Sequence, residues 1–283
     1  MNVFDSATPT VEGHVVALRT SRAGLPLFCF PGAGGNIHIF GELIAALPNG
    51  GPVYGIDMEW LCDVKGDFTV EQMATFYLKV VRGVQKNGPY HFCGYSFGGL
   101  VAYEMAKRLK DQGESVKLLA LLDAPNPALM SNLTADESAQ FRRKYLSDRL
   151  GKYAGDLVRG DIGAFTNRGI AFIVSRFGRP LLPAIKSGFR LLNKPIPAVI
   201  RSNDPGFVKA WHGYAPASYP GTVLCFRVEE RGPEHGPDPT MGWSSCATGG
   251  VQVCVVPGGH VDMMKMPSVG TIARELAARV DVG

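Results

Sequence analysis

The pentapeptide Gly94-Tyr95-Ser96-Phe97-Gly98 follows the pattern G-x-S-x-G. A serine hydroxyl is a weak nucleophile until a base takes its proton and donors receive the charge that develops on the attacked group. The setting here suits that chemistry. Pro89-Tyr90-His91-Phe92-Cys93 reads as a short buried strand, and Gly99 to Leu109 as a helix. Strand, glycine-flanked turn and helix together make a nucleophile elbow. Ser96 is the expected nucleophile, held on strained backbone at a helix N-terminus, where partial positive charge favours an anion. Gly94 and Gly98 supply the small flanks such a turn needs.

The nucleophile needs a base, and the base needs an acid to orient it. In elbows of this kind the chain order is Ser, then Asp or Glu, then His. Lys117 to Leu122 is an apolar run that ends in Asp123-Ala124-Pro125, so Asp123 is expected at a strand's C-terminal end, one strand from the elbow. Its rival is Asp238, in a proline-rich loop after the apolar run 222–228. Val255-Val256-Pro257-Gly258-Gly259-His260 is a strand running into a glycine-rich loop, which makes His260 the expected base. His91 sits inside the strand before the elbow and reads as a core histidine; His14, His38, His212 and His235 read as surface or loop residues.

Two backbone N–H groups should hold the oxyanion. One is that of Phe97, the residue after the nucleophile; the other belongs in a loop after an early strand. Leu27-Phe28-Cys29-Phe30 followed by Pro31-Gly32-Ala33-Gly34-Gly35 is such a loop, and Ala33 is the expected donor. The same glycines lack the G-K-[ST] ending and the G-x-G-x-x-G spacing, which argues against nucleotide binding. Met58, Trp60, Met263, Met264 and Met266 are candidates for core packing first and for lining an acyl pocket second.

These residues need a scaffold. Strands are expected at 14–20, 26–30, 52–56, 90–94, 117–122, 222–228 and 251–256, with amphipathic helices at 37–47, 70–86 and 268–280. Thr69 and Gln72 form a capping-box signature before the second of these helices. The alternation predicts an α/β fold, a mostly parallel central sheet covered by helices on both faces. From about 130 to 205 no strand is evident, and helical patterns are broken by Gly and Pro. Residues 131–203 carry 13 Lys and Arg against 5 Asp and Glu, from totals of 29 and 25 in the chain. A basic helical lid inserted into a slightly acidic body is the expectation, within one domain spanning 1–283.

Composition sets the remaining bounds. The 283 residues are 46% hydrophobic and 19% charged, which suits one large globular domain. A net charge of +4 is too mild to argue for nucleic acid. The six cysteines form no C-x-x-C pair, and four of them (Cys29, Cys93, Cys225, Cys254) lie in apolar strand-like runs, as free buried thiols do. The N-terminus lacks the pattern of a signal peptide, and no apolar run is long enough to span a bilayer, so a cytoplasmic protein without a membrane partner is expected.

The run Leu25 to Asn36, the block Gly88 to Gly99, the strand-end Leu121-Leu122-Asp123, Gly242-Trp243 and Val256 to His260 together resemble the thioesterase domains that end polyketide and nonribosomal peptide synthetases. The similarity runs from about 13 to 280, and the lid carries almost none of it. The resemblance implies an α/β-hydrolase fold with a helical lid. It implies a triad of Ser96, Asp123 and His260, with Ala33 and Phe97 as oxyanion donors. It also implies an acyl or peptidyl carrier protein as partner, whose phosphopantetheine arm delivers the chain, and no cofactor. Release would follow by water or by an internal hydroxyl or amine. The chain departs from the family at Pro31-Gly32, where members often have His-Gly, and at Gly259, where Asp or Asn is frequent. Its Phe-Pro opening is also similar to the free-standing editing thioesterases. An esterase, lipase or acyl-CoA hydrolase on the same fold is a further alternative, and a non-catalytic α/β-hydrolase-like binding protein a third.

Overall fold

A computed structural model describes residues 11–21, 23–48, 50–64, 66–128, 187–189, 191–192, 196, 198–201, 204–230 and 237–280. Most of the expected lid and His235 lie outside the described residues. Seven strands form the sheet: β1 (Val15–Arg19), β2 (Leu27–Phe30), β3 (Val53–Ile56), β4 (Tyr90–Tyr95), β5 (Val116–Leu122), β6 (Val223–Val228) and β7 (Val251–Val256). The helices are α1 (Val11–His14), α2 (Gly41–Ala46), α3 (Val70–Val84), α4 (Phe97–Asp111), α5 (Ala198–Arg201), α6 (Pro205–Gly213) and α7 (Ser268–Val280). Each expected strand is present, shifted by a residue at most.

The spatial order is β1-β3-β2-β4-β5-β6-β7. β1 pairs antiparallel with β3 and every other neighbouring pair is parallel. Side chains alternate across the sheet, so each central strand feeds two cores. Phe28, Phe30, Tyr90 and Phe92 pack under α3 and α4, while Leu27, Cys29 and Cys93 pack with residues of α2 and α7. Both faces are therefore dry, which is why the strands read as continuous apolar runs.

Local chemistry sets the helix starts. The Thr69 side chain accepts from Gln72 N–H at 3.2 Å and Gln72 returns a bond to Thr69 N–H at 3.0 Å, the expected capping box. The expected helix at 37–47 is a 3-10 turn, Ile37–Phe40, followed by α2. α6 lies beyond the expected elements; Asp204 caps it through Gly206 N–H at 2.9 Å, with Pro205 in its first turn.

Strand order reverses between β2 and β4, because the chain leaves β2 toward β3 and returns on its other side. In open α/β sheets the crevice beyond the C-terminal ends of two such strands receives ligands. Phe30 pairs with Gly94, so β2 and β4 end side by side there, one leading into the glycine loop and the other into Ser96.

Candidate active site

Ser96 joins β4 to α4 with φ at 51°, a left-handed value that a residue with a Cβ adopts at a cost of about 1 kcal/mol or more. Its N–H donates to Leu122 C=O at 2.9 Å and its C=O accepts from Gly99 N–H at 2.9 Å, so strand and helix fix the turn from both sides. The flanking glycines are sterically required. A Cβ on Gly94 would meet Gly99 Cα at 2.5 Å, and one on Gly98 would meet the Phe30 and Pro31 carbonyl oxygens at 2.3 Å. The helix can start only because its second residue lets the β2 loop lie against it.

That loop is the one carrying Ala33. Gly35 N–H closes a turn onto Gly32 C=O at 3.0 Å, with Ala33 and Gly34 at its crown and Gly34 at φ 87°. A Cβ on Gly32 would stand 3.3 Å from Ser96 Cβ, so the loop abuts Ser96. Phe97 opens α4, where the first N–H groups have no acceptor within the helix. The Phe97 ring is buried and packs edge-on against Phe207 of α6 at 5.1 Å, which in turn meets Phe68 at 5.3 Å. Arg201 of α5 pairs with Glu59, and Lys209 of α6 with Asp67, so both helices are tied to the loops after β3.

Asp123 follows β5, where Tyr95 and Leu122 pair in register. It is 0% exposed and has φ at 46°. Its N–H donates to Phe226 C=O at 2.8 Å, and its Oδ1 accepts from Val228 N–H at 3.3 Å. Its Oδ2 lies 2.6 Å from Nδ1 of His260. With the proton on Nδ1, His260 donates to the carboxylate, and Nε2 keeps a lone pair for a proton acceptor's role. The loop that delivers His260 leaves β7 through Pro257, whose C=O accepts from Ser268 Oγ at 2.7 Å, and turns at Gly258 with φ 81°.

Asp238 does other work. Its carboxylate accepts from Thr240 N–H at 2.8 Å and Gly242 N–H at 2.9 Å, stapling its own loop. That loop is zipped to the segment after Asp123. Trp243 Nε1 donates to Ala124 C=O at 2.6 Å, and Asn126 Nδ2 donates to Gly242 C=O at 3.0 Å. Neither Trp243 nor Asn126 was assigned a structural task by spacing, since the partners stand over a hundred residues apart. Met58, Met263 and Met264 are buried in the cores, and Met266 is exposed. Trp60 donates from Nε1 to Tyr77 Oη at 3.1 Å. His91 is fully buried, as a core histidine should be, while His14 is half-buried and stands 4.9 Å from the Phe76 ring.

One residue beside Ser96 makes contacts that its place in the pentapeptide conceals. Tyr95 stacks on the His260 ring, with centroids 4.9 Å apart and planes 21° apart. Its hydroxyl donates to His260 C=O at 3.0 Å. The structure thus gathers Ser96, Asp123 and His260 at one end of the sheet, with the Ala33 loop and the start of α4 beside Ser96.

Comparison with known proteins gives the family and the fold. The chain is 29% identical over 274 residues to malpibaldin synthetase of Mortierella alpina, covering 94% of this chain and 4% of that protein. It is 28% identical over 274 residues to a dimodular nonribosomal peptide synthase of Bacillus subtilis, covering 94% and 11%. The chain therefore spans a small part of the length of these relatives. Among solved structures, the NocB thioesterase domain in covalent complex with a fluorophosphonate nocardicin G analog superposes with a TM-score of 0.60 at 19% identity. That likeness covers 94% of this chain and 98% of the other, and shows a shared fold. Among the described residues no helix is long and apolar enough to cross a membrane. A family profile described as the thioesterase domain matches residues 25–280, nearly the whole of the sequence, and the chain belongs to that family.

Proposed function

We propose that this domain is a serine thioesterase that takes an acyl or peptidyl chain from the phosphopantetheine arm of a carrier protein onto Ser96 and then releases it. The observation that carries the reading is the 2.6 Å contact between the buried Asp123 carboxylate and His260, at the sheet end where Ser96 stands on strained backbone. His260 Nε2 takes the Ser96 proton as Oγ attacks the thioester carbonyl. The tetrahedral oxyanion rests on the N–H groups of Ala33 and Phe97. His260 then returns the proton to the departing thiolate, leaving an acyl ester on Ser96 and a free carrier thiol. A second nucleophile, water or a hydroxyl or amine of the chain itself, gives its proton to His260 and takes the acyl group. As drawn, the reaction uses no metal or cofactor.

Two further facts support the substrate class. The relatives matched over 94% of this chain are named as synthetases. Residues 131–203 hold a net +8 charge, suited to an acidic carrier protein. The lid formed by this stretch is part of the proposal.

The test is a panel of acyl carrier proteins loaded with synthetic chains, acyl-pantetheine thioesters, acyl-CoA and simple esters, read by intact mass. Carrier-bound thioesters should turn over fastest, with acyl-Ser96 trapped on the parent chain and absent from Ser96→Ala. Preference for simple esters over every thioester overturns the reading. The product mass separates hydrolysis from cyclisation.

A further inference from the structure

We infer that Tyr95 is a positioning residue for His260: its ring face orders the imidazole, and its hydroxyl pins the backbone that carries it. The inference rests on the reading of His260 as the base. During acyl transfer the imidazole must gain a proton without leaving its place, and it is 38% exposed, so packing alone does not immobilise it. Asp123 holds one ring edge through Nδ1. A single edge contact leaves the ring free to rock about the Nδ1 axis. The Tyr95 ring lies along the imidazole face, and a cation over an aromatic face is attracted by the ring quadrupole. The phenol hydroxyl bonds the carbonyl of His260 itself, so side chain and main chain of the base are gripped by one residue. Tyr95 is in turn fixed by β4, and its own C-terminal neighbour is Ser96, so base and nucleophile are referenced to a single strand end.

Among the described residues, three charged groups lie around this pair. Asp123 meets His260 from the segment after β5. Glu230, after β6, and Asp262, in the turn after His260, flank Gly259, whose added Cβ would stand 3.2 Å and 3.7 Å from their carboxylate oxygens. All three are carboxylates, and the Tyr95 face that covers the imidazole is uncharged. Burial, together with Asp123 and Asp262, pushes the Tyr95 phenol far up, which keeps its hydroxyl a donor across the working range.

A core residue that merely filled space would act through folding alone, and rescue by the conservative variant separates the two. The rate of fluorophosphonate labelling of Ser96 is measured for the parent, Tyr95→Phe, Tyr95→Leu and His260→Ala, with melting temperatures for each. Tyr95→Phe keeps the ring and loses the hydroxyl bond; it should label about threefold more slowly than the parent. Tyr95→Leu loses the face; it should label about tenfold more slowly at temperatures where it is folded, so that restoring the ring alone recovers about threefold. A Tyr95→Leu protein that folds and labels at the parental rate overturns the inference. If His260→Ala labels at the parental rate, the base assignment itself fails, a separate outcome. If Tyr95→Leu does not fold, the parent decides: with labelled histidine, and His260 assigned from its loss in His260→Ala, the stacked tyrosine should displace the His260 ring protons upfield. Ring protons at ordinary positions overturn the inference.

Discussion

Replacing Asp123 by Asn isolates the orientation of the base from everything else in the site. The residue is fully buried, and Asn matches its shape, so Oδ1 can go on accepting from Val228 N–H. The change falls on the 2.6 Å contact with His260. An amide that presents NH₂ to Nδ1 cannot accept the Nδ1 proton, and the imidazole answers by carrying its proton on Nε2. In that tautomer Nε2 cannot take the Ser96 proton. In the general template, a tautomer error of this kind costs about 10⁴ in rate. We expect a loss of about 10³ to 10⁴ in turnover of an acyl-pantetheine thioester, about 4–5.5 kcal/mol of barrier at 1.36 kcal/mol per decade. Fluorophosphonate labelling, which needs the same proton transfer, should fall in parallel. The melting temperature should move by only a few degrees, because no cavity is made and a buried charge is removed. Asp238→Asn is the control: its carboxylate holds Thr240 and Gly242 in its own loop, so the variant should keep its rate within about threefold and lose some stability. Asp123→Asn retaining more than about a tenth of the parental rate, or Asp238→Asn bearing the loss instead, would refute the reasoning.

Gly98→Ala places a methyl group 2.3 Å from the Phe30 and Pro31 carbonyl oxygens, so the β2 loop and the start of α4 must part. Loss of one oxyanion donor costs about 10² to 10³, and labelling of Ser96 should fall at least that far; a rate within about threefold of the parent would show that the Ala33 loop is not held by this contact. His91 is fully buried, both its ring nitrogens lack hydrogen-bond partners among the described residues, and burial with the nearby Lys117 pushes it down to about 4. Its folded form is thus neutral where the unfolded chain protonates near 6.5, so its share of stability is complete above about pH 6.5 and is lost as pH falls toward 4. The full loss is about 3 kcal/mol, and urea unfolding at pH 7 and pH 5 should show a smaller difference for His91→Leu than for the parent; equal differences would contradict this. Trp243→Phe keeps a buried ring but leaves Ala124 C=O without its donor, and should cost about 1–3 kcal/mol in urea unfolding while leaving Ser96 labelling measurable; a variant as stable as the parent would show that other bonds hold the zip.

The parts of the site that were legible in the sequence share one property: each sits where a regular element ends. Ser96, Asp123 and His260 follow β4, β5 and β7, and apolar runs of four to seven residues announce strand ends to within a residue. The mutually parallel strands β2 to β7 then bring those ends to one side of the sheet, since all six point the same way. The loop that holds Ala33 follows the same rule, after β2, with glycines marking a segment that must approach another backbone. What sequence reading could not reach is contact between irregular segments. Tyr95 meets His260 at a separation of 165 residues, and the first x of G-x-S-x-G carries no constraint that a single sequence can show. The Trp243–Ala124 and Asn126–Gly242 bonds join two loops that have no period to read. α6 is an instructive middle case. Asp204-Pro205 is a helix-start signal in its own right, with the Asp side chain on Gly206 N–H, at the point where the expected insertion ends. Its consequence, Phe207 packed on the Phe97 ring, needed the fold. The elements that carry the reacting groups are thus encoded locally, while the contacts that hold those groups to within fractions of an ångström are encoded between distant loops, where Tyr95 is the case with a chemical consequence.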